Sequence, residues 1–184
     1  SIVISVNTKL RIQKLIESWP YVILNDIQYL QKQLAVVSIN VVKELLYTTK
    51  LLTSQIVAIA SHGVTLAHYP TLGYSIQLGD AELISQQTGI DTVYNLRQQD
   101  IIHGGQGAPL ACAYHKDFLC SKTMHRAILN LGGIANITIL PKSGDHIHNN
   151  ILGYDTGPAN TLMDAWVNKC LAEPFDIKGQ WAAT

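Results

Sequence analysis

Charge is scarce in this chain. Only 14% of its 184 residues are Asp, Glu, Lys or Arg, and 13 basic side chains cancel 13 acidic ones. Without a net field or a local cluster of one sign, nothing recruits a nucleic acid or an anionic membrane. Long apolar runs are also lacking: polar residues interrupt them well short of the roughly 20 needed to span a bilayer. The N-terminus has no basic stretch ahead of an apolar core, so no export signal is read there. These absences lead to the expectation of a soluble, cytoplasmic protein. Cysteine is sparse and odd in number. Cys112, Cys120 and Cys170 are widely spaced and form no CxxC pair, which suits reduced thiols rather than a disulfide framework. No HExxH motif or Cys/His quartet exists, and His146-Ile147-His148 sits in a polar turn sequence, so a structural metal site is not expected. Methionine occurs only at 124 and 163, the chain opens on Ser1, and the run Asp176 to Thr184 completes no periodic pattern. Both ends are expected to be cuts in a longer protein.

What is present suits a folded α/β chain. With 47% hydrophobic residues it can bury a core as one domain or two small lobes. Ile2 to Val6 is a short β-branched run, and Leu10, Ile12, Leu15 and Ile16 fit a helix ending before Pro20. Asn25 with Gln28 resembles a capping box opening a long helix, whose apolar stripe is Ile27, Leu30, Leu34, Val37, Val41 and Leu45. Strands are expected at 55–60, 74–78, 92–96, 126–131, 136–140 and 151–154. Asp80 is a good N-cap for a helix from Ala81 to about Thr88, and Pro158 suits the first turn of a helix reaching Leu171. A composition break at Cys120 to His125 divides the chain into expected lobes 1–122 and 123–184.

Four segments carry chemistry. Leu131-Gly132-Gly133-Ile134-Ala135-Asn136 lies between two strands, where paired glycines let backbone amides approach an anion; an ordinary glycine hairpin fits the same residues. Gly153 to Asn160 is read as a strand ending in Asp155 and turning at Gly157 into a helix N-terminus. Free amides and a positive dipole end there suit phosphate, and Asp155 could hold hydrated magnesium; Asp155 or Thr156 could equally cap the helix. Arg97 to Leu110 holds an acid and a base followed by Gly104, Gly105 and Gly107, with no regular element expected. Asp100 could act as a general base on that loop with Arg97 holding substrate, or the two could form a surface ion pair. In Ser61-His62-Gly63-Val64-Thr65 the adjacent Ser61 and His62 point apart, so hydroxyl binding fits better than a nucleophile with its base. A histidine satisfied by backbone is the plainer alternative.

In order, the segments SHGVTLAHYPT (61–71), SIQLGDAELISQQTGIDTVYNLRQQDIIHGGQGAPL (75–110), ILNLGGIANITILP (128–141) and GYDTGPANTLMDAW (153–166) resemble the anhydro-N-acetylmuramic acid kinases. The resemblance runs from about Gln55 to Thr184, and the first fifty residues add only compatible helices. It implies an actin-like ATPase (ribonuclease H-like) fold, with most of a first lobe and the start of a second. The family's N-terminal Gly-Thr-Ser-x-Asp-Gly phosphate loop has no counterpart here. The implied activity opens 1,6-anhydro-N-acetylmuramic acid with water while its 6-oxygen takes the γ-phosphoryl group of ATP. On that resemblance Asp100 is the base; His62, Thr65 and Arg97 face the sugar; Gly132, Gly133, Asn136, Asp155, Thr156 and Gly157 face ATP and Mg2+, with Asp155 toward the metal. An amino sugar and ATP are the implied partners, and a homodimer is admitted. Asn95 departs from the family, which usually has an acid two residues before this arginine. Two other readings stand beside the kinase: an incompetent fragment with residual sugar binding, and a glycosidase-type hydrolase, which would need a second carboxylate such as Asp80 or Asp155.

Overall fold

The computed structural model describes residues 4–144 and 150–184. The His146 to His148 turn and the first residues of the Ile2 to Val6 run lie outside the described residues. The chain forms two compact units, Ser1–Gly107 and Ala108–Thr184. Its strands form three small sheets in a mixed α/β arrangement.

In the first unit, helix α1 (Val6–Glu17) begins where the Ser5 hydroxyl accepts the Thr8 amide at 3.1 Å. The last residue of the β-branched run is therefore helical. Helix α2 (Leu24–Thr49) is 26 residues long, and its N-cap is Ile23, with no side-chain cap. Asn25 is inside the helix, so the capping box read at Asn25 and Gln28 is not formed. The buried stripe of α2 is Leu30, Leu34, Ala35 and Ile39, while Val41 and Leu45 are exposed. The 18 positions from Ile27 to Leu45 make about five full turns at 3.6 residues each, so the row keeps to one face; burial on α2 ends at Ile39, and Val41 and Leu45 lie beyond it.

Ile12 and Leu15 of α1 pack with Leu30 and Leu34 of α2 and with Leu66 and Leu78 of a two-stranded antiparallel hairpin. That hairpin is β2 (Val64–Tyr69) and β3 (Tyr74–Leu78), closed by a 3-10 turn Pro70–Leu72 with Gly73 at φ 81°. Strand β2 was not anticipated. Helix α3 (Ala81–Thr88) matches expectation, with Asp80 Oδ1 accepting the Leu83 amide at 2.9 Å. Its Ile84 packs on Ala35 and Ile39.

The expected strands at 55–60 and 92–96 shrink to β1 (Ile59–Ala60) and β4 (Thr92–Val93), a short parallel pair. Thr53–Gln55 turns as a 3-10 segment instead. Helix α4 (Leu96–Ile102) follows at once, where no regular element was expected.

The second unit opens with helix α5 (Ala111–Leu119), also unanticipated, followed by an antiparallel meander of β5 (Arg126–Leu131), β6 (Ile134–Leu140) and β7 (Leu152–Pro158). Thr138 of β6 is 1% exposed and joins α5 through His115 Nδ1 at 2.9 Å and Cys112 Sγ at 3.4 Å. Gly153 of β7 lets the two elements approach, because a Cβ there would collide with Cys112 Sγ. Pro158 ends the strand rather than opening a helix, and α6 starts at Asn160 and runs to Leu171. As the last residue of a strand at the sheet margin, proline costs no ladder hydrogen bond. Cys112, Cys120 and Cys170 are all free thiols. No helix among the described residues is long and apolar enough to cross a membrane.

Candidate active site

The first unit brings three of the expected residues together. His62 lies in the turn between β1 and β2, where Gly63 takes φ 72° and a Cβ would meet the Leu78 carbonyl. Asn95, at φ 61°, turns the chain from β4 into α4, which places Arg97 and Asp100 one turn apart on the same helix face. Asp100 is thus carried by a helix, not a loop. Arg97 Nε donates to His62 Nε2 at 2.8 Å, and Arg97 Nη1 donates to the Gly107 carbonyl at 2.8 Å. The amide of Gly107 donates to Asp100 Oδ2 at 2.7 Å. Arg97 and Asp100 form no ion pair among the described residues; the carbonyl and the amide of Gly107 join them instead.

Glycines make the arrangement feasible. A Cβ on Gly105 would fall onto the Asp100 carboxyl group, so this position must be empty for the acid to lie where it does. Gly107 is buried at φ 71°, a conformation that costs an L-residue about 1–2 kcal/mol. The glycine-rich stretch signals such turns in sequence, but which glycine serves which side chain depends on the loop path.

Thr65 stands apart from this trio. It pairs with Gln77 across the hairpin, and Gln77 Nε2 reaches Thr65 Oγ1 at 3.5 Å and Ser75 Oγ at 2.7 Å. Gln77 Oε1 is buried without a hydrogen-bond partner. Gln98, on the helix carrying Arg97, ties α4 to the hairpin by accepting the Ser75 amide at 2.8 Å and donating to the Gly73 carbonyl at 3.0 Å. Sequence reasoning missed Gln98, whose only signal was its place beside Arg97. A polar hollow of about 230 Å³ opens at His62 and is also lined by Gln77, Tyr94 and Asn95 among others. A larger apolar cavity of about 360 Å³ shares His62 and Gly63 with it, and Arg97 and Asp100 line neither. The polar hollow is the better match for a hydroxylated ligand, since its walls offer donors and acceptors.

The second unit gathers the other expected residues at one corner. The Gly132–Gly133 turn joins β5 to β6, and its carbonyls accept the amides of Ala159, Asn160 and Thr161 at 2.9, 3.0 and 3.1 Å. The N-terminus of α6 is therefore engaged with the hairpin, which corrects the reading of free helix amides after Gly157. Asn136 pairs with Asp155 across β6 and β7 beside a bulge at Ala135 and Asn136. Thr156 Oγ1 donates to the Ala135 carbonyl at 3.2 Å. Nothing lies within 4 Å of a Cβ placed on Gly157, and Asp155 is exposed. Among the described residues no group of three or more His, Cys, Asp or Glu could hold a metal.

Comparison with known proteins decides the family. The sequence profile of anhydro-N-acetylmuramic acid kinase matches residues 4–184. The chain belongs to the anhydro-N-acetylmuramic acid kinase family. The match takes in α1 and α2, which the motifs alone left outside. Proteins named anhydro-N-acetylmuramic acid kinase from Shewanella putrefaciens and Shewanella oneidensis are 46% and 47% identical over 145 residues, covering 78% of this chain and 38% of each relative. One from Shewanella pealeana is 42% identical over 161 residues, covering 86% of this chain and 42% of that protein. The chain thus spans about 40% of the length of the curated relatives it matches.

Proposed function

We propose that this chain is the sugar-binding and base-carrying portion of an ATP-dependent kinase that converts 1,6-anhydro-N-acetylmuramic acid to N-acetylmuramic acid 6-phosphate, a cytoplasmic step in peptidoglycan recycling. The observation carrying this reading is Gly107, whose carbonyl accepts from Arg97 and whose amide donates to Asp100, while His62, bonded to Arg97, lines a polar hollow. Asp100 takes the proton of the water that attacks the anomeric carbon, Arg97 fixes oxygen atoms of the sugar, and His62 and Thr65 complete that side. Such a base contributes typically 10²–10⁴-fold, or about 3–5 kcal/mol.

Within an actin-like ATPase fold, residues 1–122 supply the sugar and base groups, and residues 123–184 supply the phosphate corner. There Gly132, Gly133, Asn136, Thr156 and Gly157 lie along the phosphates of ATP. Asp155 is the residue that would hold Mg2+, which when bound would supply charge neutralisation on the phosphates.

The share of the relatives' length covered favours a second reading, a catalytically incompetent portion that retains sugar binding. The test is incubation of the purified chain with the anhydro-sugar, ATP and magnesium, with mass analysis of the product. A phosphorylated, ring-opened product that disappears in Asp100→Asn supports the kinase. No product from the unaltered chain supports the incompetent portion, and ring opening without ATP supports a hydrolase. Asp80, a nominee for that hydrolase's second carboxylate, already caps α3.

A further inference from the structure

We propose that His62 is a positioning residue for Arg97 and makes no polar contact with the sugar itself; this rests on the functional reading above and assigns the division of labour within its sugar side. An arginine Nε carries a hydrogen and can only donate, so His62 Nε2, 2.8 Å away, must be the unprotonated acceptor. A neutral imidazole then carries its proton on Nδ1. That nitrogen lies 2.9 Å from the Gly63 carbonyl, which can only accept. One protonation state satisfies both bonds, and it uses both polar atoms of the ring. Nothing polar remains on His62 for a ligand.

The arginine is in the opposite condition. A guanidinium has five N–H donors. The Nε donor goes to His62 and one Nη1 donor to Gly107, which leaves the Nη2 pair and the second Nη1 hydrogen for oxygen atoms of the sugar. The two anchors hold the plane of the fork against rotation. The Gly107 anchor also fixes the fork relative to Asp100, whose Oδ2 takes the amide of the same glycine. His62 therefore sets where sugar oxygens must lie for the base to reach its water, without touching them.

The first measurement needs no substrate. Nitrogen-15 NMR of the full chain is expected to show His62 protonated at Nδ1 and bare at Nε2, and the Arg97 Nε–H is expected to exchange faster in His62→Ala. The opposite tautomer, or an unmoved Arg97 signal, overturns the proposal.

The second is calorimetric binding of 1,6-anhydro-N-acetylmuramic acid to His62→Ala, Arg97→Ala, the double variant and His62→Gln, whose amide oxygen can still accept from Nε. His62→Ala is expected to weaken binding roughly tenfold, with no further loss in the double variant beyond Arg97→Ala and partial recovery in His62→Gln. Additive losses would assign His62 its own contact with the sugar and sink the proposal. If the unaltered chain binds no sugar, the kinase reading loses its support while the NMR result still decides the positioning role.

Discussion

Gly105 and Gly107 are two residues apart, yet their glycines answer different demands. A side chain at Gly105 meets the Asp100 carboxyl group, whereas one at Gly107 meets the Arg97 carbonyl at 3.0 Å and His68 Cε1 at 3.2 Å in a backbone at φ 71°. Gly105→Ala is expected to displace Asp100 and lower product formation by about 10²-fold, as small misplacements of a reacting group do. Its unfolding midpoint should stay close to that of the parent chain. Gly107→Ala is expected to lose about 1–3 kcal/mol of stability as well, visible in urea unfolding. Arg97 and Asp100 stand out in the sequence because acid, base and glycines cluster between 97 and 107, while His62 belongs to a separate segment 35 residues before Arg97. Their connection was not legible, because it passes through the amide and carbonyl of Gly107, whose directions depend on positive φ at a buried turn. Thr65 shows the converse: it sits close in sequence to His62, but the bulge between Thr65 and Ala67 and the pairing with Gln77 direct it into the hairpin network.

Short elements with tertiary anchors escape periodicity. Helix α4 has 7 residues and no side-chain cap, so its sequence offers none of the usual signals; Gln98 holds it against the β2–β3 hairpin instead. Strand β7 continues to Pro158 because β6 pairs with it as far as Ile134. Caps were legible only where geometry agreed with them. Asp80→Ala is expected to cost about 1 kcal/mol through the lost cap on α3. Asn25→Ala should change stability by less than about 0.5 kcal/mol, since Asn25 caps nothing. Chemical denaturation of both variants separates a cap that forms from one that only the sequence pattern suggests.

At the scale of the molecule, alternation of helices and strands made the α/β class legible, and four ordered motifs made the family legible. The division into units at Gly107 and Ala108 was less so, because composition changes later, around Cys120, after α5 has joined the second unit. Each unit carries its own chemistry in the proposed kinase, so their losses should separate. Asp155→Asn is expected to raise the magnesium needed for half-maximal nucleotide binding several-fold while sugar affinity holds, as calorimetry with each ligand would show. Within the second unit, the bonds from Ala159, Asn160 and Thr161 to the glycine turn have a mechanical consequence. Helix α6 has 12 residues, which makes it roughly 18 Å long, and it is bolted at one end to the glycine hairpin. The turn and the helix therefore form one piece, and the orientation of the turn sets where Leu171, at the far end of the rod, lies.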